Sequence, residues 1–152
     1  MPKASVKRLI ECKKKDLINL VLDIEKYPEF VPFCFNAKIY ENKDQGDLTK
    51  IIADLTIGKG PFKDTYKSDV VYNKKDDSII VKNIEGPLNH LSNHWKFTDK
   101  NNGITEVTFD IDFEIKNKFL NSLMVVSFQF GLEKIADAFQ KRAEDLFSNS
   151  KN

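Results

Sequence analysis

Net charge is almost missing from this sequence: 24 lysines and arginines stand against 23 aspartates and glutamates, leaving +1 with both histidines neutral. No broad positive field gathers phosphate, which argues against DNA as a partner. The densest basic runs, Lys13-Lys14-Lys15 and Lys74-Lys75, are short and fit a solvated helix start and a turn. Cysteine is equally scarce. Cys12 and Cys34 form neither a Cys-x-x-Cys pair nor a metal-ligand spacing, and no secretory or transit signal precedes them, so a reduced, cytoplasmic setting is expected. A spanning hydrophobic run is also lacking. Phe119 to Leu132 comes nearest, but Asn121, Ser122, Ser127, Gln129 and Gly131 interrupt it, and a span needs about 20 apolar residues. The spacing therefore predicts a buried or interfacial helix.

Motifs of catalysis are missing as well. There is no nucleophile elbow, P-loop or dinucleotide fingerprint, and Gly58-Lys59-Gly60-Pro61 reads as a hairpin turn between strands. His90 and His94 sit in a strand-like stretch, where four residues span roughly 13 Å, too far to share one metal ion. No metal site is expected.

What the chain does contain is one domain's worth of residues, 1–152, with 41% hydrophobic content and aromatics dominated by phenylalanine, 12 against 4 tyrosines and 1 tryptophan. Ala4 to Glu11 alternates as a strand, and Lys13 to Leu22 shifts to helical spacing. Pro28 and Pro32 then allow at most a turn or two of helix. Six strands follow, Asn36 to Glu41, Leu48 to Ile57, Phe62 to Tyr72, Ser78 to Glu85, His90 to Thr98 and Thr105 to Ile115, separated by turn-rich sequence such as Asn42 to Gly46. In the last, Val107, Phe109, Ile111, Phe113 and Ile115 share a dry face opposite Asp110, Asp112 and Glu114. A helical segment from Lys118 to Phe147 closes the chain, apolar nearly all round in its first half and amphipathic in its second, with a bend expected at Gly131. Hairpin-length connections make this an α+β fold, a curved antiparallel sheet whose apolar face is covered by the long C-terminal helix.

Apolar surface is the candidate site. Phe30, Val31 and Phe33 precede the sheet; Leu55, Ile57, Phe62, Tyr66, Trp95, Phe97, Phe109, Ile111 and Phe113 lie within it; Met124, Phe128 and Leu132 lie on the helix. Such residues build either a packed core or the wall of a ligand cavity. Asp64 has the parity of Tyr66 and Val70, which points it inward unless a bulge or strand end leaves it hydrated.

Three motifs in order, Asp23-Ile24-Glu25-Lys26-Tyr27-Pro28-Glu29-Phe30-Val31-Pro32-Phe33-Cys34, Gly86-Pro87-Leu88 with His94-Trp95-Lys96-Phe97, and Phe139-Gln140-Lys141-Arg142-Ala143, resemble the coenzyme Q-binding branch of the START-like polyketide cyclase/dehydrase superfamily, which includes the RatA proteins. Phe33 stands where a tryptophan is common in that family, and Asn93 where glycine is expected. The resemblance implies a helix-grip fold with a deep apolar cavity. It further implies a bound isoprenoid quinone (ubiquinone), with no required cofactor, carried to the respiratory chain rather than transformed, and transient contact with the inner membrane from the cytoplasmic side. Tyr27, Phe30, Val31 and Phe33 are then expected to cap one end of the cavity. Two alternatives stay open: a RatA-like role on the large ribosomal subunit, with Lys13 to Lys15 facing RNA, and a cyclase or aromatase using Asp64 and Tyr66.

Overall fold

The computed structural model describes residues 3–59 and 61–147, with the side chains of 59, 62, 120 and 123–127 outside that description. Strand β1 (Lys3–Ile10) leads into helix α1 (Lys14–Leu22) and a 3-10 segment (Ile24–Glu29). Then come β2 (Cys34–Gln45), β3 (Leu48–Lys59), β4 (Phe62–Asn73), β5 (Ser78–Glu85), β6 (Leu88–Asp99), β7 (Thr105–Ile115) and helix α2 (Lys118–Phe147). The strands form one antiparallel sheet in the order β1-β7-β6-β5-β4-β3-β2. Successive hairpins build β2 to β7, and β1 joins beside the last of them.

Alternation sets the two faces of the sheet. Val107, Phe109 and Phe113 are buried on the inner face of β7 while Asp110 is exposed, because successive side chains point to opposite sides. One boundary differs from expectation. The sequence Asn42 to Gln45 is strand rather than turn, since Gly46, at φ +76°, alone supplies the left-handed residue the β2–β3 reversal needs. Irregular pairing between Cys34 and Asn36 and between Ile39 and Glu41 takes up the extra length of β2.

Helix α2 is one continuous helix through Gly131. It lies along the free edge of β1. Gln129 Nε2 donates to the Ser5 carbonyl at 3.3 Å and Gln140 Nε2 to that of Leu9 at 3.2 Å, while Glu144 accepts the Glu11 N–H at 3.0 Å. Arg8 adds an ion pair to Asp137 at 2.6 Å. These bonds satisfy edge groups that would otherwise template another strand. Along the adjoining side of the helix, Leu132, Phe139 and Ala143 are buried in the core.

Candidate functional site

The proline-bearing stretch before the sheet is fastened to α2. The Tyr27 hydroxyl donates to the Val21 carbonyl, and the Tyr27 and Phe30 rings meet Phe139 edge-on at 5.4 and 5.1 Å between centroids. Arg142 lies over the Phe30 ring at 5.0 Å and bonds Glu29 at 2.8 Å, which holds the Glu29 carboxyl below its ordinary value. The Ile39 N–H donates to Glu25 at 2.9 Å. Each position of the Phe139-Gln140-Lys141-Arg142-Ala143 motif that faces inward thus has a structural partner. Tyr27 and Phe30 close one wall of the core by packing into it.

Phe33 behaves differently. Its φ of +70° turns the chain sharply into β2, and its carbonyl accepts the Gly58 N–H at 2.9 Å. The ring then reaches α2, 3.9 Å from where a Cβ on Gly131 would stand. Segment, sheet end and helix meet at this point.

The expected cavity wall divides into two parts. Trp95 stacks with Phe97 at 6.2 Å, tilts on Phe109 at 4.3 Å and meets Phe139 at 5.3 Å, and all four are buried. The space among Val6, Ile10, Trp95, Phe109, Ile135 and Phe139 is about 20 Å³, room for one water and far too little for a tail. Trp95, Phe97, Phe109 and Leu132 are therefore packed core rather than ligand wall, because ring-on-ring contacts fill the volume between sheet and helix.

Toward the other end of the sheet the inward-facing residues remain partly exposed. Val31, Phe33, Leu55, Tyr66, Ile111 and Phe128 are half-buried, and Ile57 is 38% exposed. Phe128 tilts on buried Phe113 at 4.5 Å. These apolar groups thus keep exposed surface at that end of the sheet. Phe62 and Met124, also expected there, have side chains outside the described residues.

Tyr66 is the polar feature of this wall. It sits opposite Leu55 in the β3–β4 register, and its hydroxyl makes no hydrogen bond among the described residues. Burial, and then the neighbouring Cys34 thiol, push the phenol far above its ordinary value, so it stays a hydrogen-bond donor. Gly86 fixes its backbone. At φ +135°, a Cβ on Gly86 would come within 2.8 Å of Tyr66 Cβ and 2.9 Å of its Cα. Only glycine lets the β5–β6 hairpin lie this close over β4. The Gly86-Pro87 motif was visible in the sequence, but its contact with Tyr66 depends on a long-range pairing no local pattern encodes.

Asp64 does not join this wall. It pairs in register with Ile57, keeps the inward parity of Tyr66 and accepts the Thr65 N–H at 2.8 Å, but the exposed strand end leaves its carboxylate in solvent. His90 lies on the outer face, with Nε2 3.6 Å from Asp112. At the far end of the molecule Lys13, Lys14, Lys15, Asp99, Asn101, Asn102, Gly103 and Ile104 line an open groove of about 460 Å³. No helix among the described residues is long and apolar enough to cross a membrane.

Comparison with known proteins fits this architecture. The family model described as polyketide cyclase / dehydrase and lipid transport matches residues 13–140. A protein of Rickettsia prowazekii named ribosome association toxin RatA is 32% identical over 142 residues, covering 91% of this chain and 94% of that protein. The mitochondrial coenzyme Q-binding protein COQ10 of Dictyostelium discoideum is 31% identical over 134 residues, 87% of this chain and 64% of that protein. Among solved structures, a START superfamily protein of Mycobacterium smegmatis superposes with a TM-score of 0.81 over 95% of this chain and 98% of its own, at 18% identity, which shows the shared fold.

Proposed function

The chain belongs to the polyketide cyclase / dehydrase and lipid transport family, and on that footing we propose that it binds a hydrophobic ligand of the isoprenoid quinone class, ubiquinone being the type, and carries it without chemical change. One observation supports this reading above the rest: a partly exposed apolar wall of Leu55, Ile57, Ile111 and Phe128 carries the Tyr66 hydroxyl, which makes no hydrogen bond among the described residues. Aliphatic groups take up a flexible tail without directed bonds, and a phenol held in its protonated form orients a ring carbonyl. Each buried CH₂ gains roughly 0.8 kcal/mol relative to water. The same tail gains nearly as much in a bilayer, so the net preference for protein is small, as a reversible carrier working at the cytoplasmic side of the inner membrane requires. The relative named as a coenzyme Q-binding protein points the same way. Asp64, the acid a cyclase reading needs, is solvent-exposed at the strand end rather than enclosed, which favours a non-enzymatic role.

Calorimetric titration with a short-tailed ubiquinone analogue tests this. Wild type binds the analogue and returns it unchanged, and Tyr66→Phe binds about fivefold more weakly, the worth of one hydrogen bond of about 1 kcal/mol. No heat with wild type, or equal affinity in Tyr66→Phe, contradicts the reading.

A second reading rests on the groove at Lys13 to Lys15 together with the relative named for ribosome association. Lys14 is neutralised by Asp77 at 2.7 Å, leaving Lys13 and Lys15 to meet phosphate. Co-sedimentation with large ribosomal subunits that weakens as salt rises, and is lost in Lys13→Glu/Lys15→Glu, supports it; sedimentation independent of both contradicts it.

A further inference from the structure

We infer that the side of α2 presenting Phe119 and Phe130, with the end of the sheet to which the helix start is tied, forms a docking surface for an anionic lipid bilayer. This rests on the quinone-carrier reading and names the surface from which such a ligand enters. Phe119 and Phe130 are 71% and 64% exposed and stand three helical turns apart on one side of α2. Monomeric proteins seldom present large rings this openly without a partner. The start of α2 is tied to that end of the sheet, since the Lys116 N–H donates to the Pro87 carbonyl at 2.8 Å and Asn121 accepts the Ile115 N–H at 3.1 Å. At the start of β2, Phe35 is also exposed.

Charge selects the occupant. Lys63 lies over the Phe35 ring at 4.0 Å and Lys134 over that of Phe130 at 4.7 Å. Among the described residues Lys63, Lys116, Lys118 and Lys134 make no ion pair, whereas Lys67 nearby is matched by Glu85 at 3.6 Å. Rings flanked by unmatched ammonium groups suit the boundary of a bilayer, where the ring enters the acyl region and the lysine reaches a lipid phosphate. A second copy of this chain would bring the same unmatched lysines face to face. Phe33 lies beside Gly131, next to Phe130 in the chain, so docking brings the partly exposed residues of the wall toward the lipid.

Flotation with vesicles of phosphatidylcholine and with vesicles containing 30 mol% phosphatidylglycerol provides the test. Wild type floats with the anionic vesicles and is released by salt. Phe119→Ser and Phe130→Ser each lower the partition about tenfold, and Lys134→Glu about fivefold or more, with unchanged melting temperatures. Equal flotation of wild type and the ring variants overturns the proposal, as does failure of wild type to float. A light-scattering dimer abolished by Phe130→Ser also overturns it, making the patch a homodimer interface. The two readings fail separately: a protein that binds the soluble analogue but no vesicle refutes the docking surface alone. One that floats but binds no analogue refutes the carrier.

Discussion

Gly86→Ala is the substitution whose cost follows most directly from geometry. The backbone there has φ +135°, a conformation L side chains rarely adopt, and holding alanine in it costs about 1–3 kcal/mol. The added Cβ would also stand 2.8 Å from Tyr66 Cβ, 2.9 Å from its Cα and 3.1 Å from the Thr65 carbonyl oxygen. Two of these three atoms belong to the backbone of β4, so no side-chain rotation relieves the contact, and overpacking of this kind costs a further 1–3 kcal/mol or so. The sum, about 2–6 kcal/mol, lowers the melting temperature by roughly 4 °C at the least and up to about 24 °C in a chain of this size. Relief by movement of the β5–β6 hairpin displaces Tyr66, so affinity for the short-tailed ubiquinone analogue falls as well. Thermal unfolding by circular dichroism, paired with calorimetric titration, reads both effects. A variant that melts within about 2 °C of wild type refutes the close approach of hairpin and strand on which the placement of Tyr66 depends.

Two further perturbations probe the core and its chemistry. Phe139→Ala removes the ring on which Tyr27, Phe30 and Trp95 converge, and should cost about 3–5 kcal/mol in urea unfolding; a loss below about 1.5 kcal/mol shows that the proline-bearing segment is not held by it. Burial first, then Asp16 and Glu144, push the Cys12 thiol up to about 11. Because the folded value is the raised one, this contribution is complete below pH 9, where the unfolded thiol keeps its proton, and is lost as pH climbs toward 11. Between pH 8 and pH 10.5, wild type therefore loses about 2 kcal/mol more than Cys12→Ala in urea titrations, and parallel losses contradict the assignment.

Local patterns carried the elements well and the site poorly, for a physical reason. Alternation in Thr105 to Ile115 and helical spacing in Lys118 to Phe147 are properties of neighbouring residues, so those bounds are legible in the chain itself. Composition does not distinguish a filled core from a ligand wall. Trp95, Phe97 and Phe109 and the half-buried Leu55, Ile111 and Phe128 are the same kind of residue, and only the ring cluster around Trp95, which itself meets Phe139, separates the first set from the second. Asp64 followed its parity in the sequence, yet the strand end carries it into solvent. Phe119 was legible as part of a buried or interfacial helix because polar residues interrupt the apolar run there. Its company of unmatched lysines required the fold.

The central claim, a hydrophobic ligand held between sheet and helix, is tested most directly by native mass spectrometry of protein freshly purified from a quinone-producing host. The account predicts a bound species with the mass of a prenylated quinone, one per chain, that is depleted in Leu55→Glu. Protein of bare mass in repeated preparations, with no uptake of added short-tailed ubiquinone, contradicts it.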